Sequence, residues 1–361
     1  MATLFDTPHP VTGHSGLSSD PRPPAPGPCL RGIERLAREA ATLVEKREVD
    51  YFSIEARSIL NRCSSDRMPF TWTINPYRGC EFGCRYCYAR YTHEYMGLTD
   101  PDDFENKIYA KRDAARTLLR ELTPERLAGK TIALGTATDP YQPAERRFRI
   151  TRGLLEVLAR TDGVRLSITT KGYLITRDID LLQRITARGS LHVNITVTTV
   201  DAALARLLEF RAPTPEKRLT ALRTLREANI RAGVNIAPVL PDITDTRENL
   251  SAVIAAARDA GATHVFANTL FLKDSTRERF LTFLREHFPH LVARYVRRYA
   301  RSAFVERPYK DRLMRLMDEL KREHGLPDRP DLDPPATTHE AAARQLPLGF
   351  PEAPRGRGCR G

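Results

Sequence analysis

The chain has 361 residues, 41% of them hydrophobic, and carries 57 Lys and Arg against 45 Asp and Glu, a net charge of +12. That length supports one large α/β barrel or two small domains. No apolar run approaches the ~20 residues that span a bilayer and no secretory segment opens the chain, so a location in the reducing cytoplasm is expected. The positive charge invites a nucleic-acid reading, although 48 Arg against 9 Lys also reflects a GC-rich coding bias.

Residues 1–30 are rich in Pro, Gly and Ser, end in Pro21-Arg-Pro-Pro-Ala-Pro-Gly-Pro28 and read as a disordered tail. A helical pattern at about 31–47 opens an N-terminal helical extension over 31–67. Phe70-Thr-Trp-Thr-Ile74 is the first expected strand of the main body, 68–305. Further strands are expected near 131–135, 164–170, 191–198, 231–237 and 263–268, separated by helical stretches such as the one marked by Leu181, Leu182 and Ile185. The recurrence matches a series of βα units with parallel neighbours. A C-terminal helix, Pro308 to about His324 within a segment 306–324, is placed to cover one end of the body. A flexible tail, 325–361, follows.

The strands alternate. Val193, Ile195 and Val197 point one way and Asn194, Thr196 and Thr198 the other, while Leu166 and Ile168 oppose Ser167, Thr169 and, in phase with them, Lys171. A closed eight-stranded barrel would pack its inside with branched apolar side chains. Six strands with a polar inner face imply instead an incomplete (β/α)6 TIM barrel, with its site at the C-terminal strand ends.

Three cysteines stand close together in Asn75-Pro-Tyr-Arg-Gly-Cys-Glu-Phe-Gly-Cys-Arg-Tyr-Cys-Tyr-Ala-Arg90. Cys80, Cys84 and Cys87 can hold a cubic [4Fe–4S] cluster by three of its irons and leave the fourth open, whereas a ferredoxin-type cluster closes every iron with four thiolates. Gly79 and Gly83 suit a loop wrapped round such a cluster. Structural zinc is the competing reading, with His93 as a fourth ligand, but no second C-x2-C pair exists. Cys29, Cys63 and Cys359 are too scattered for another cluster.

The C-x3-C-x2-C spacing, with tyrosines on both sides of Cys87, resembles the radical S-adenosylmethionine (SAM) enzymes. From about Met68 to Asp245 the chain looks like their spore photoproduct lyase-like group, also labelled DNA repair photolyases. The motifs that carry this include Leu134-Gly-Thr-Ala-Thr-Asp-Pro-Tyr-Gln-Pro-Ala-Glu145, Thr170-Lys171, Thr198-Thr-Val-Asp201 and Ala237-Pro-Val-Leu-Pro241. The resemblance implies a cytoplasmic enzyme that reductively cleaves SAM to a 5′-deoxyadenosyl radical and acts on a nucleic-acid base. RNA, a peptide or a small molecule is the alternative substrate, and a zinc-dependent nucleic-acid-binding module the alternative class. The cofactors implied are the cluster and SAM, and a reducing partner such as flavodoxin or ferredoxin. Cys80, Cys84 and Cys87 are then the metal ligands; Tyr86 lies against the adenine, Thr138 and Asp139 meet the amino end of SAM, Lys171 its carboxylate, and Thr196 presents a hydroxyl to it.

One position departs from the pattern. Thr136 stands where the lyase uses a cysteine thiol to return a hydrogen atom, and no cysteine lies between Cys87 and Cys359. Two further clues concern partners. Arg294-Tyr-Val-Arg-Arg-Tyr-Ala-Arg301 is either a phosphate-holding, base-stacking stripe or a solvated helix face with its tyrosines turned inward. Gln345-Leu-Pro-Leu-Gly-Phe350 resembles peptides by which bacterial repair proteins dock on the sliding clamp.

Overall fold

Strands form where β-branched and aromatic residues alternate with polar ones, and the computed structural model shows two sheets built this way. It describes residues 32–33, 42–46, 49–65, 68–100 and 102–326. In chain order the strands are β1 (Thr42–Lys46), β2 (Val49–Ile54), β3 (Asn61–Arg62), β4 (Trp72–Ile74), β5 (Tyr77–Arg78), β6 (Lys107–Lys111), β7 (Thr131–Leu134), β8 (Arg165–Thr170), β9 (Ser190–Thr196), β10 (Ala232–Val239) and β11 (Val265–Thr269).

The larger sheet runs β11-β10-β9-β8-β7-β4-β3. Its six long members are parallel, with β3 antiparallel on the β4 edge. β11 and β3 stand at opposite ends of this order, so the barrel is open and incomplete, as expected. All six parallel strands lie within two residues of their expected bounds. Phase also holds. Leu166, Ile168, Val193 and Ile195 are buried against the helix layer, while Ser167, Thr169, His192 and Asn194 on the other face are only half-buried. Register places Thr169 beside Asn194, Asn194 beside Gly233 and Thr196 beside Asn235, a polar row across the inside.

The helix Arg307–Glu323 matches its expected place. Its Leu313, Met317 and Leu320 join the main core, and it packs against β11 and the helix Arg247–Asp259.

Residues 32–33 are helical and 34–41 lie outside the described residues, but from residue 42 on the expected helix over 31–47 and helical extension over 31–67 are corrected. Residues 42–54 form an antiparallel pair, β1 on β2, in a second sheet of order β1-β2-β6-β5. The reason lies in Val49-Asp-Tyr-Phe-Ser-Ile54, where Val49 and Tyr51 recur at the strand period of two and are buried. β5 pairs with β6 through Tyr77 and Arg78, so this sheet holds the chain immediately before Gly79 and Cys80. The tails 1–30 and 327–361, with Cys29, Cys359 and Gln345-Phe350, lie outside the described residues.

Candidate active site

Chain direction reverses sharply after β5, and two glycines allow it. Gly79 (φ +81°) and Gly83 (φ +61°) occupy the left-handed region. A Cβ on Gly79 would stand 2.8 Å from the carbonyl oxygens of Lys107 and Phe104. Between and after these glycines come Cys80, Cys84 and Cys87, all free thiols, the first two buried.

The loop is fastened at both ends and along its length. The Thr138 hydroxyl donates to the Gly79 carbonyl at 2.5 Å, and Gln142 Nε2 donates to the same oxygen. The Cys80 N–H donates to Phe104, that of Arg85 to Leu208, and the Thr276 hydroxyl donates to the Cys87 carbonyl. The Glu81 carboxylate accepts from the Tyr51 hydroxyl and the Ala144 N–H. Buried Arg90 donates to the Cys84 carbonyl and pairs with buried Glu105, which Arg279 also reaches. Five segments thus hold one loop, a requirement for ligands that must keep fixed positions.

Burial pushes all three thiols up, Cys84 to about 12, and Cys80 responds electrostatically to both other cysteines. Left alone they stay protonated, so a bound metal must displace the protons. No three His, Cys, Asp or Glu side chains among the described residues converge as a single-ion site requires. A cubic cluster makes no such demand, because each thiolate takes its own iron. His93, the expected fourth ligand of a zinc site, is buried with Nε2 on the Lys107 carbonyl at 3.0 Å and its ring edge-on to Phe104. The donor set is three thiols, two of them buried, which fits a cluster with one open iron.

Beside the thiols lies a charged group that sequence reading missed. Glu209 is 1% exposed and accepts from the Tyr86 hydroxyl. It pairs with Arg218, itself 1% exposed, and lies 3.8 Å from the Lys171 ammonium. Lys171 in turn sits 5.7 Å from the Tyr86 ring centroid. Burial opposes charge on Glu209, yet Arg218 and Lys171 hold its carboxyl below the usual range. Burial likewise opposes the Lys171 ammonium, which Cys84 and Glu209 keep above its ordinary value. Arg218 also donates to the Thr196 carbonyl. Tyr86, Lys171 and Thr196, expected separately, are therefore joined through Glu209 and Arg218 at the C-terminal ends of β8 and β9. Glu209-Phe-Arg211 carries no spacing signal, and only the folded loop brings it to the thiols.

Asp139 accepts from the Thr170 hydroxyl (2.6 Å), the Lys171 N–H (2.7 Å) and the Tyr141 N–H (2.9 Å), and so ties the end of β7 to that of β8. Burial pushes its carboxyl up against those donors. Thr136 exchanges hydrogen bonds with the Asn75 side chain, and its carbonyl accepts from the Tyr88 hydroxyl. Asn75 also receives the Ala137 N–H and, at its own carbonyl, the Lys111 ammonium. Asn75 is the second missed residue; its place at the head of the cysteine motif was the available signal.

Comparison with known proteins identifies the family and the fold. A family profile described as the Radical SAM superfamily matches residues 74–253. An uncharacterized protein of Mycobacterium tuberculosis is 35% identical over 286 residues, 79% of this chain and 84% of that one. An uncharacterized protein of Methanocaldococcus jannaschii is 28% identical over 225 residues, covering 60% of this chain and 76% of its own. Spore photoproduct lyase complexed with dinucleoside spore photoproduct shares the fold at a TM-score of 0.53 and 13% identity, over 76% of this chain and 79% of that chain. No helix among the described residues is long and apolar enough to cross a membrane. The chain belongs to the radical SAM superfamily, enzymes that work with a [4Fe–4S] cluster and SAM.

Proposed function

We propose that Cys80, Cys84 and Cys87 hold the cluster, that Tyr86, Thr138, Asp139, Lys171 and Thr196 frame the SAM site, and that the substrate is a nucleic-acid base, most readily one in DNA. The observation that carries the cluster assignment is the loop itself: three thiols, two of them buried, fastened by five segments at the C-terminal rim of an open parallel barrel. When bound, the cluster and SAM supply the reducing electron and the deoxyadenosyl radical. The chain's own residues do the rest. Lys171, oriented by Glu209, offers a cation to a carboxylate; Tyr86, pinned by its hydroxyl, offers a flat face; Thr138 fastens the cysteine loop and Asp139 ties the β7 end to the β8 end, framing the proposed SAM site. The half-buried polar row on β8 and β9 keeps the inside of the barrel receptive to a polar substrate.

Three features support nucleic acid. The net charge is +12. The lyase that shares the fold is complexed with a dinucleoside lesion. The larger sheet ends at β11 and β3 without closing on itself, which leaves its strand ends in an incomplete barrel. Thiol-mediated reversal of that lesion is not part of this proposal, because Thr136 stands where the resemblance expects the thiol and exchanges hydrogen bonds with Asn75. The test is anaerobic turnover with dithionite, comparing deoxyadenosine formed with undamaged DNA, UV-damaged DNA and no DNA, in wild type and Cys84→Ala. Stimulation by DNA in wild type alone is expected. Output indifferent to every nucleic acid sinks the substrate assignment.

A further inference from the structure

Eight of the chain's cations fall between Arg294 and Arg315, against two acids, Glu306 and Asp311; that excess of six is half the net +12. Half of the net charge is therefore concentrated in this one stretch. The helix Val292–Arg298 turns Tyr295 and Tyr299 into the core and leaves Arg294 and Arg297 exposed. Arg301, Lys310, Arg312 and Arg315 continue the exposed row across the turn and onto the helix Arg307–Glu323. Asp242 takes Arg294 and Arg298, and Asp311 lies 3.7 Å from Arg307. Among the described residues Arg297, Arg301, Lys310 and Arg315 form no ion pair.

Between these two helices the chain presents an aromatic. Phe304 is 51% exposed, with its ring 4.7 Å from Phe271, and Phe271 lies 6.3 Å from Tyr88, which is 42% exposed. The Leu272 N–H donates to the Ala303 carbonyl at 2.9 Å and holds the turn against the end of β11. Tyr88 follows Cys87 directly and donates to the Thr136 carbonyl at the end of β7. An exposed ring thus begins a line of three that ends at the thiols.

We infer that this arginine-rich face with its aromatic line is the entry surface for an unpaired nucleic-acid strand. Guanidinium groups on the two helices hold phosphates, and Phe304 and Phe271 stack bases on their way to the strand ends. A duplex keeps its bases stacked inside and offers those rings no face, so the surface selects single-stranded or extruded bases. The inference rests on the nucleic-acid reading of the site and deepens it.

The test is fluorescence anisotropy of full-length protein with a labelled single-stranded DNA oligonucleotide, the same sequence as a duplex, and polyglutamate as competitor. Phe304→Ala should weaken single-strand binding on the order of tenfold with the salt dependence unchanged. Arg297→Ala with Arg301→Ala should lower the slope of log affinity against log salt by about 1.4. Iron content and circular dichroism should match wild type in both. The inference is overturned if Phe304→Ala binds as wild type, if duplex binds as tightly as single strand, or if polyglutamate displaces the oligonucleotide as well as unlabelled DNA does. Any of those results with DNA-dependent deoxyadenosine intact rejects this surface and leaves the substrate class standing. Wild type that neither binds nucleic acid nor responds to it overturns both.

Discussion

Gly79 and Glu209 show how single residues set this site. An alanine at Gly79 meets both left-handed strain and two immovable carbonyl oxygens, so Gly79→Ala should lose at least about 2 kcal/mol and bind less than half the wild-type iron after reconstitution. Gly129 has a similar φ of +64° but open space around it. Gly129→Ala should cost only about 1 kcal/mol and bind iron normally, and equal iron loss in the two would refute the steric account. Glu209→Ala leaves Arg218 and Lys171 facing each other without an anion. It should cost on the order of 3–5 kcal/mol by urea unfolding, while Glu209→Leu with Arg218→Leu should recover part of the loss. Glu209 was invisible in sequence because a lone acid after a helix has no pattern. By contrast, the three cysteines announced themselves, since their chemistry needs close spacing along the chain.

At the level of elements, the parallel strands were legible because each carries its alternation locally, as in Leu166-Ser-Ile168 and Val193-Asn-Ile195. The strands at 42–54 and 107–111 were not, since β2 finds β6 only across a long stretch of chain and β6 begins and ends in lysine. The C-terminal helix was read correctly, and its energetic role is clear from packing. Leu320 is fully buried in the main core, so Leu320→Ala should cost about 2–5 kcal/mol while the loaded protein keeps its iron. A variant that unfolds no more readily than wild type would show that the helix only lies on the barrel. The arginine-tyrosine stripe resolves by residue type: Tyr295 and Tyr299 belong to the core, and the exposed arginines to the surface.

Over the whole molecule, buried neutral histidines give stability a pH dependence. Burial lowers His93 and His264 to about 4. An unfolded histidine titrates near 6.5, so the unfolded chain takes up protons that the folded chain refuses below that point. Stability is fully present above pH 6.5 and is lost as pH falls toward 4, by up to about 3 kcal/mol per residue. Urea midpoints measured across this range should fall with acid, and His93→Leu with His264→Leu should flatten the slope even if the protein is weaker throughout. A slope unchanged in that variant assigns the effect to other groups.

What the sequence determined by itself is whatever depends on near neighbours: the thiol triplet, the strand period and the αβ succession, and through them the fold class and the radical SAM family. What only the tertiary structure decided is whatever depends on meeting across the chain. Glu209 reaches Tyr86 across 123 positions and Arg90 is shared out between Cys84 and Glu105. Phe304 joins Phe271 and Tyr88 only because the turn after the helix Val292–Arg298 is tied to the chain following β11. Periodicity reports which face of an element is buried, but not what it is buried against. That second fact is set by packing, and this site is built from it.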